Sequence, residues 1–550
     1  MAIRSDAHLD QSVDVARDPF SEQTPDPDRL SRTVLVGLLA IVIAFLGIGG
    51  LHALQQPPFA PPDETAHVGY ANEVASFRLP EIRRFPEVPV EAREWQAERS
   101  TARDIRYRSV WVANHPPLHY VAVAPLIWAS RVVDAPDGGL IMMRFANVAF
   151  AAVGVVFTFL LALEMTRRNQ RLALLAAALA ALVPQGHAVF SQGLNDGLGF
   201  AAGTALVWAG ARCLRRLDDL TRRDLVILAV TAAVGFGARA ATMLLAVAVV
   251  GVVALARLVH PVRPGLSGAD RVRDAARIAV LALAPAVLAF GWFYARNWVL
   301  YGDIGASQYL LEMFRRDERG SVLAMFNQRD LWSNVFEGLL SPTTRQRLAP
   351  PGAAILTLVA GVGVAFAFVS GRLRVEAESS GDERVLRWQI GLGLVTIALI
   401  ATTIAQHASG GGNAHARYAM PAVGVAAVLV VIGLERVWSK WAPFALVMVA
   451  GWWALLNLPV DVDPSIPRRV RDAGALPPYP LRVLPLSDGW RFAAGVLIVV
   501  GVTVAAGALI AMLRPSTPGS SGGDTIDPPG PGPIGDGELV SAGTDRRSHS

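Results

Sequence analysis

Apolar runs rich in Ala, Val and Leu recur from Thr33 to Ile510, separated by short polar breaks. They fall at 33–53, 142–165, 173–190, 194–213, 224–237, 240–257, 278–299, 351–370, 389–407, 417–434, 441–458 and 491–513. Many reach the roughly 20 residues with which a helix crosses about 30 Å of hydrocarbon. The pattern predicts an all-α polytopic membrane protein of about 12 transmembrane helices (roughly 11 to 13), since boundaries read from sequence carry an error of a few residues.

The breaks differ in charge. Arg167-Arg168-Asn169-Gln170-Arg171, Arg212 to Arg223, Arg257 to Arg277, Arg372 to Arg387 and Arg436 to Lys440 are the most basic. With the amino terminus cytoplasmic, beside Arg29 and Arg32, all five fall inside, as the positive-inside bias requires. This assignment holds only if the apolar piece Pro116 to Val133 does not cross. That piece opens with Pro116-Pro117 and is short for a span, so a helix lying in or dipping into the outer interface is expected there.

The membrane domain then covers 33–513, with external loops at 54–141, 301–350 and 459–490. The first is long enough for juxtamembrane helices and a reaction site. The tails, 1–32 and 514–550, hold too little apolar surface to order themselves and are expected to be disordered and cytoplasmic. No internal repeat stands out, which argues against an inverted-repeat transporter.

Composition agrees with this reading. Of 550 residues 53% are hydrophobic and 17% charged, and the mean hydropathy is +0.39, which excludes a soluble multidomain enzyme. The net charge of +5 is explained by topology, so no nucleic-acid partner is inferred. The single cysteine, Cys213, excludes an internal disulfide framework and a cysteine zinc site. The run Val34 to Ala53 is too long for a cleavable signal peptide and reads as a retained first helix.

Candidate chemistry gathers on the outer side: Asp63, Glu64 and His67; Asn195 and Asp196; Arg239 in the turn between the fifth and sixth spans; Arg296 and Asn297; and His407, His415 and Arg417. Each also has a plain structural role available. Asp63 and Asp196 suit helix N-caps, lone arginines anchor helix ends among headgroups, and the histidines serve as polar partners. Trp95, Trp111, Trp292 and Trp332 suit either the membrane interface or a sugar ring. Together the residue types suit glycosyl transfer from a lipid-linked phosphate. An acceptor hydroxyl needs a carboxylate to take its proton, whereas a phosphate leaving group needs cationic stabilisation, and the guanidinium fork fits phosphate.

The run Pro61-Pro62-Asp63-Glu64-Thr65-Ala66-His67 resembles the acidic motif of the GT-C superfamily of integral-membrane glycosyltransferases. Asn114-His115-Pro116-Pro117-Leu118-His119-Tyr120 resembles their Pro-Pro-Leu juxtamembrane helix, and Met143-Arg144-Phe145-Ala146-Asn147 the arginine opening their second span. Asn195-Asp196, Trp292 to Asp303 and Ala416-Arg417-Tyr418-Ala419-Met420-Pro421 resemble three further segments in the same order. The chain is most similar to uncharacterised bacterial membrane proteins carrying Pro-x-Asp-Glu-x-x-His, and the resemblance covers about 30–435.

The resemblance implies a GT-C-like bundle in a bacterial plasma membrane, with both termini cytoplasmic and an extracytoplasmic active site. Asp63 is then the catalytic base with Glu64 in support. His67, Asn195 and Asp196 lie near the acceptor or a metal, and Arg239, Arg296 and Arg417 near the donor phosphate. His115, Arg144, Asn297 and His415 support them. The implied donor is a polyprenyl-phosphate-linked sugar, transferred with inversion to an envelope glycan, lipid or protein, and the implied partners are membrane lipids. A divalent cation stays an open cofactor, because no second paired acidic motif is present. No soluble domain is expected after the last span. The competing expectations are a transporter or flippase for a lipid-linked or anionic precursor, and a noncatalytic assembly factor on the same scaffold.

Overall fold

The computed structural model describes residues 30–55, 63–84, 109–133, 138–261, 265–340, 349–372, 380–438 and 488–513. The predicted span at 441–458, the loop 459–487, Trp95 and nearly all of both tails lie outside the described residues. The α-helices are α1 (Arg32–Gln55), α2 (Glu64–Ala75), α3 (Leu118–Val132), α4 (Leu140–Met165), α5 (Gln170–Ala181), α6 (Pro184–Phe190), α7 (Asp196–Arg215), α8 (Arg222–Ala238), α9 (Ala240–Val259), α10 (Gly268–Tyr301), α11 (Ser307–Met313), α12 (Val322–Phe326), α13 (Arg329–Leu340), α14 (Ala349–Ser370), α15 (Ser380–Ser409), α16 (Val423–Trp438) and α17 (Asp488–Leu513). Short 3₁₀ turns at Trp111–Asn114 and Ala416–Ala422 also matter to the site. No strand occurs among the described residues.

The protein is a multi-pass helical membrane protein. Seven helices are long and apolar enough to cross a bilayer, and the bent pair α5–α6 makes an eighth. Each predicted run within the described residues is helical, but two have a shorter apolar part than expected. α8, with 17 residues, spans all of its predicted run, whereas the apolar parts of α14 and α17 are Thr357–Ser370 and Gly495–Ala508. The predicted helix 173–190 is not continuous: it bends by 58° between Ala181 and Pro184. Pro184 opens α6 at its first turn, where a missing N–H does no harm but where the preceding residue is pushed out of helical geometry. The piece at 116–133 is the 15-residue helix α3.

Small residues set the helix spacing, as expected where lipid supplies no hydrophobic drive for helices to associate. Phe200 of α7 lies over Gly154 of α4, and at Gly363 of α14 and Gly433 of α16 any Cβ would collide with the facing backbone. Gly197 meets α4 in the same way, and its N–H donates to Asn147 Oδ1 at 2.7 Å.

Polar contacts form two layers at opposite ends of the bundle. At one end Arg215 binds Glu164, Arg212 binds Asp224 at 2.8 Å, Arg257 binds Asp274 at 2.7 Å and Gln389 donates to Glu164 O at 3.2 Å. Most of the basic breaks join this end, which also holds the start of α1, where Ser31 N donates to Gln170 Oε1 at 3.1 Å. The other end gathers α2, α3, the 3₁₀ turns and the acidic motif.

Candidate active site

Asp63 and Glu64 are neighbours with different surroundings. The Glu64 side chain is fully buried and takes a two-pronged bond from Arg144 of α4, Nε to Oε1 and Nη2 to Oε2, both at 2.8 Å. Gly193 N adds a third bond to Oε1 at 2.7 Å, and Arg144 Nη1 also donates to Ala53 O at 2.8 Å. The pair therefore ties α1, α2, α4 and the turn before α7 together. Asp63 precedes α2 but makes no capping bond. Its Oδ2 accepts instead from Arg417 Nη2 in the second 3₁₀ turn, and its Oδ1 from Trp111 Nε1 at 3.3 Å. Burial raises the Asp63 carboxyl, but the Arg417 charge and the bonds from Arg417 and Trp111 outweigh it and hold the group below the usual carboxylate range.

A second acid–arginine pair stands close by. Asp196, the first residue of α7, is buried and accepts from Arg239 Nη1. Arg239 is the single extended residue between α8 and α9, and its side chain runs beside Gly199, where a Cβ would stand 2.8 Å from Arg239 Cδ. Asn195 makes no capping bond, and its buried Nδ2 has no hydrogen-bond partner. The 3₁₀ turn carrying Arg417 lies against α7 at Gly203, where a Cβ would stand 2.5 Å from Pro421 O.

His67 and His115 lie within electrostatic reach of both Arg239 and Arg417. His67 Nδ1 shares a 2.8 Å hydrogen bond with Tyr120 OH, and its ring centre is 5.8 Å from that of His115. Burial is the main reason that His67 and His115 stay neutral, His115 with a pKa lowered to about 3; the charges of Arg239 and Arg417 push both the same way. His415 Nδ1 accepts from Arg417 N at 3.2 Å and fixes the entry to the 3₁₀ turn. Arg239 and Tyr418 also line a small, partly open pocket of about 130 Å³, together with Ala241, Thr403, His407 and Pro421.

Arg296 and Asn297 are held differently. Arg296 Nη2 donates to Pro80 O at 2.8 Å, and its Nη1 is buried without a hydrogen-bond partner. Asn297 Nδ2 bridges Asn114 O at 3.0 Å and Ile304 O at 3.1 Å, tying the end of α10 to the first 3₁₀ turn. Both thus fasten backbone around the end of α10, at Pro80, Asn114 and Ile304, rather than contacting the acid–arginine pairs. Among the described residues no cluster of three or more His, Cys, Asp or Glu side chains is arranged to hold a metal ion.

No protein-family model and no curated protein sequence matches the chain. Among solved structures the chain is similar to ArnT from Cupriavidus metallidurans bound to undecaprenyl phosphate, at 12% identity and TM-score 0.45, over 87% of this chain and 75% of that one. It is also similar to the oligosaccharyltransferase of Archaeoglobus fulgidus in its apo form, at 14% identity and TM-score 0.36, over 87% of this chain and 56% of that one.

Sequence reasoning named Tyr120 and Tyr418 within motifs without giving either a role, passed over Thr403, and took Trp111 for an interface or sugar-stacking residue rather than a hydrogen-bond donor to Asp63. Only chain folding brings Trp111 to a carboxylate 48 positions away. Trp292 is half exposed on α10, and Trp332 stacks on Phe326 with ring centres 5.5 Å apart.

Proposed function

We propose that the protein is a membrane glycosyltransferase that moves a sugar from a polyprenyl-phosphate-linked donor to an envelope glycan, lipid or protein. The observation that carries this reading is the meeting of Asp63 with Arg417, 354 residues away, beside the Asp196–Arg239 pair and a small, partly open pocket lined by Arg239. A base and two phosphate-binding cations thus share one end of the bundle. In this reading the arginine-rich end is cytoplasmic and the site faces the outside of a bacterial plasma membrane. The motif order that resembles the GT-C superfamily supports the same assignment.

The chemistry follows from the residues. Asp63 accepts the proton of the acceptor hydroxyl as that oxygen bonds to the anomeric carbon of the donor sugar. The bond from that carbon to the phosphate oxygen breaks, and its electron pair stays with the phosphate. Arg239 and Arg417 offset the developing charge. One displacement inverts the anomeric carbon, leaving polyprenyl phosphate, the glycosylated acceptor and a protonated Asp63. Asp196 holds Arg239, while Glu64 and Arg144 hold the motif in place. Asn195, His67 and His115 face the acceptor side, and Arg296, Asn297 and His415 steady the walls.

The test is transfer of labelled sugar by purified protein from candidate polyprenyl-phosphate sugars. Asp63→Asn is expected to abolish transfer in a protein that still folds; wild-type turnover in that variant refutes the assignment. Movement of a lipid-linked substrate across reconstituted vesicles without a new glycosidic bond would identify a flippase instead.

A further inference from the structure

We propose that Asp63 has a second role, as the resident anion of the donor-phosphate site: donor binds by exchanging its phosphate for the Asp63 carboxylate on Arg417, and only then is the base released. This rests on the glycosyl-transfer reading above.

The two adjacent acids supply the comparison. Arg144 gives Glu64 the whole Nε–Nη2 edge of its guanidinium, each nitrogen at 2.8 Å from its own oxygen. Arg417 gives Asp63 only Nη2; its Nε is buried and has no hydrogen-bond partner. An edge of two parallel N–H groups fits two oxygens of a carboxylate or phosphate, so Asp63 fills half of it. The second Asp63 oxygen is turned to Trp111 instead, which leaves the nitrogen vacant. A phosphate entering here would fill both donors and relieve the unpaired Nε, which is costly while buried.

Access differs in the same sense. The side chains of Glu64 and Arg144 are each 0% exposed, whereas those of Asp63 and Arg417 are 18% and 19% exposed. Arg417 is followed by Tyr418, which lines the partly open pocket with Arg239 and His407. One pair is thus a closed structural lock, whereas the other is partly exposed and adjoins the pocket through Tyr418.

The exchange imposes an order. While both Asp63 oxygens are engaged, an acceptor hydroxyl that arrives first meets no free base. Donor phosphate on Arg417 removes the competing bond and the nearest positive charge, which frees the carboxylate to accept a proton when the sugar is in place.

The experiment measures binding of polyprenyl phosphate to the full-length protein in lipid nanodiscs. Removing the resident charge with Asp63→Asn should tighten binding by about tenfold, equivalent to about 1.4 kcal/mol, although the same variant has lost turnover. Trp111→Phe, which loosens Asp63 without changing charge, should tighten binding in the same direction by about two- to threefold, or ~0.5 kcal/mol. Asp317→Asn removes one negative charge from an exposed loop residue near the same end and should change affinity by less than about twofold, which separates exchange from general attraction. Unchanged or weaker binding by a folded Asp63→Asn protein overturns the exchange, and so does an equal gain in Asp317→Asn. If polyprenyl phosphate binds neither wild type nor any variant, the glycosyl-transfer reading itself falls, and the exchange with it.

Discussion

Replacing Glu64 by Gln tests whether the two acids of the motif do different work. The side chain is nearly isosteric, so packing is kept and only the charge goes. What is lost is the carboxylate that faces the Nε–Nη2 edge of the Arg144 guanidinium, a group that is itself 0% exposed. Breaking a fully buried pair from one side costs about 3–5 kcal/mol, because the surviving charge is stranded away from water. Gly193 N also exchanges a charged acceptor for a neutral one, a loss of about 1 kcal/mol. Removing both charges with Glu64→Gln and Arg144→Met should recover much of the deficit, since an apolar replacement of a buried pair is often close to neutral. Thermal unfolding in detergent, followed by the emission of the 13 tryptophans, reads the order wild type, double variant, single variant. The reasoning is refuted if Glu64→Gln melts with wild type while transfer is lost, since Glu64 would then act in the chemistry.

His119 carries a pH test. Its ring is fully buried between Tyr120 and Phe150, with neither nitrogen hydrogen-bonded, and burial, aided by the Arg239 charge, lowers its pKa to about 3. Between pH ~6.5 and ~3 the unfolded chain binds a proton there that the native one does not, so stability falls as pH drops, by about 2 kcal/mol at pH 5. His119→Phe should flatten the fall in melting temperature between pH 7 and 5; an unchanged slope refutes the assignment. Gly203→Ala places a Cβ 2.5 Å from Pro421 O and should displace the turn bearing Arg417. A shift of about 1 Å costs on the order of a hundredfold in turnover, with a small change in melting temperature; full activity would show that the turn is not positioned by α7.

The helices were legible because apolar runs of span length have few other solutions in a chain with so little charge. Their breaks were less so. The run 173–190 reads as one helix straight through Pro184, although a proline there pushes Val183 out of helical geometry; the size of the bend, 58°, is not written in the local sequence. The α10 helix starts at Gly268, about one helical third before its apolar part, because the Ser267 side chain caps Asp270 N at 3.2 Å and charged residues extend the helix beyond the hydrocarbon. Within the site, residue types and order were readable, whereas partners were not. Asp63 and Glu64 are both carboxylates in one motif, and what separates them is distant: arginines 354 and 80 positions away, with Trp111 on one acid and Gly193 N on the other. Likewise Arg296 reads like Arg417 in sequence, yet its Nη2 is turned to a backbone carbonyl, Pro80 O, rather than to an acid.

Arg239 is the lone non-helical residue in a continuous stretch whose far terminus is clamped by Asp224. α8 therefore works as a rigid ruler between the Asp224 clamp and the Asp196–Arg239 pair. Adding one residue to it would turn the Arg239 guanidinium by about 100° and advance it about 1.5 Å, away from Asp196. Length changes in this helix should accordingly be far less tolerated than substitutions along its lipid-facing side, where Val226 and Val230 are 60% and 57% exposed.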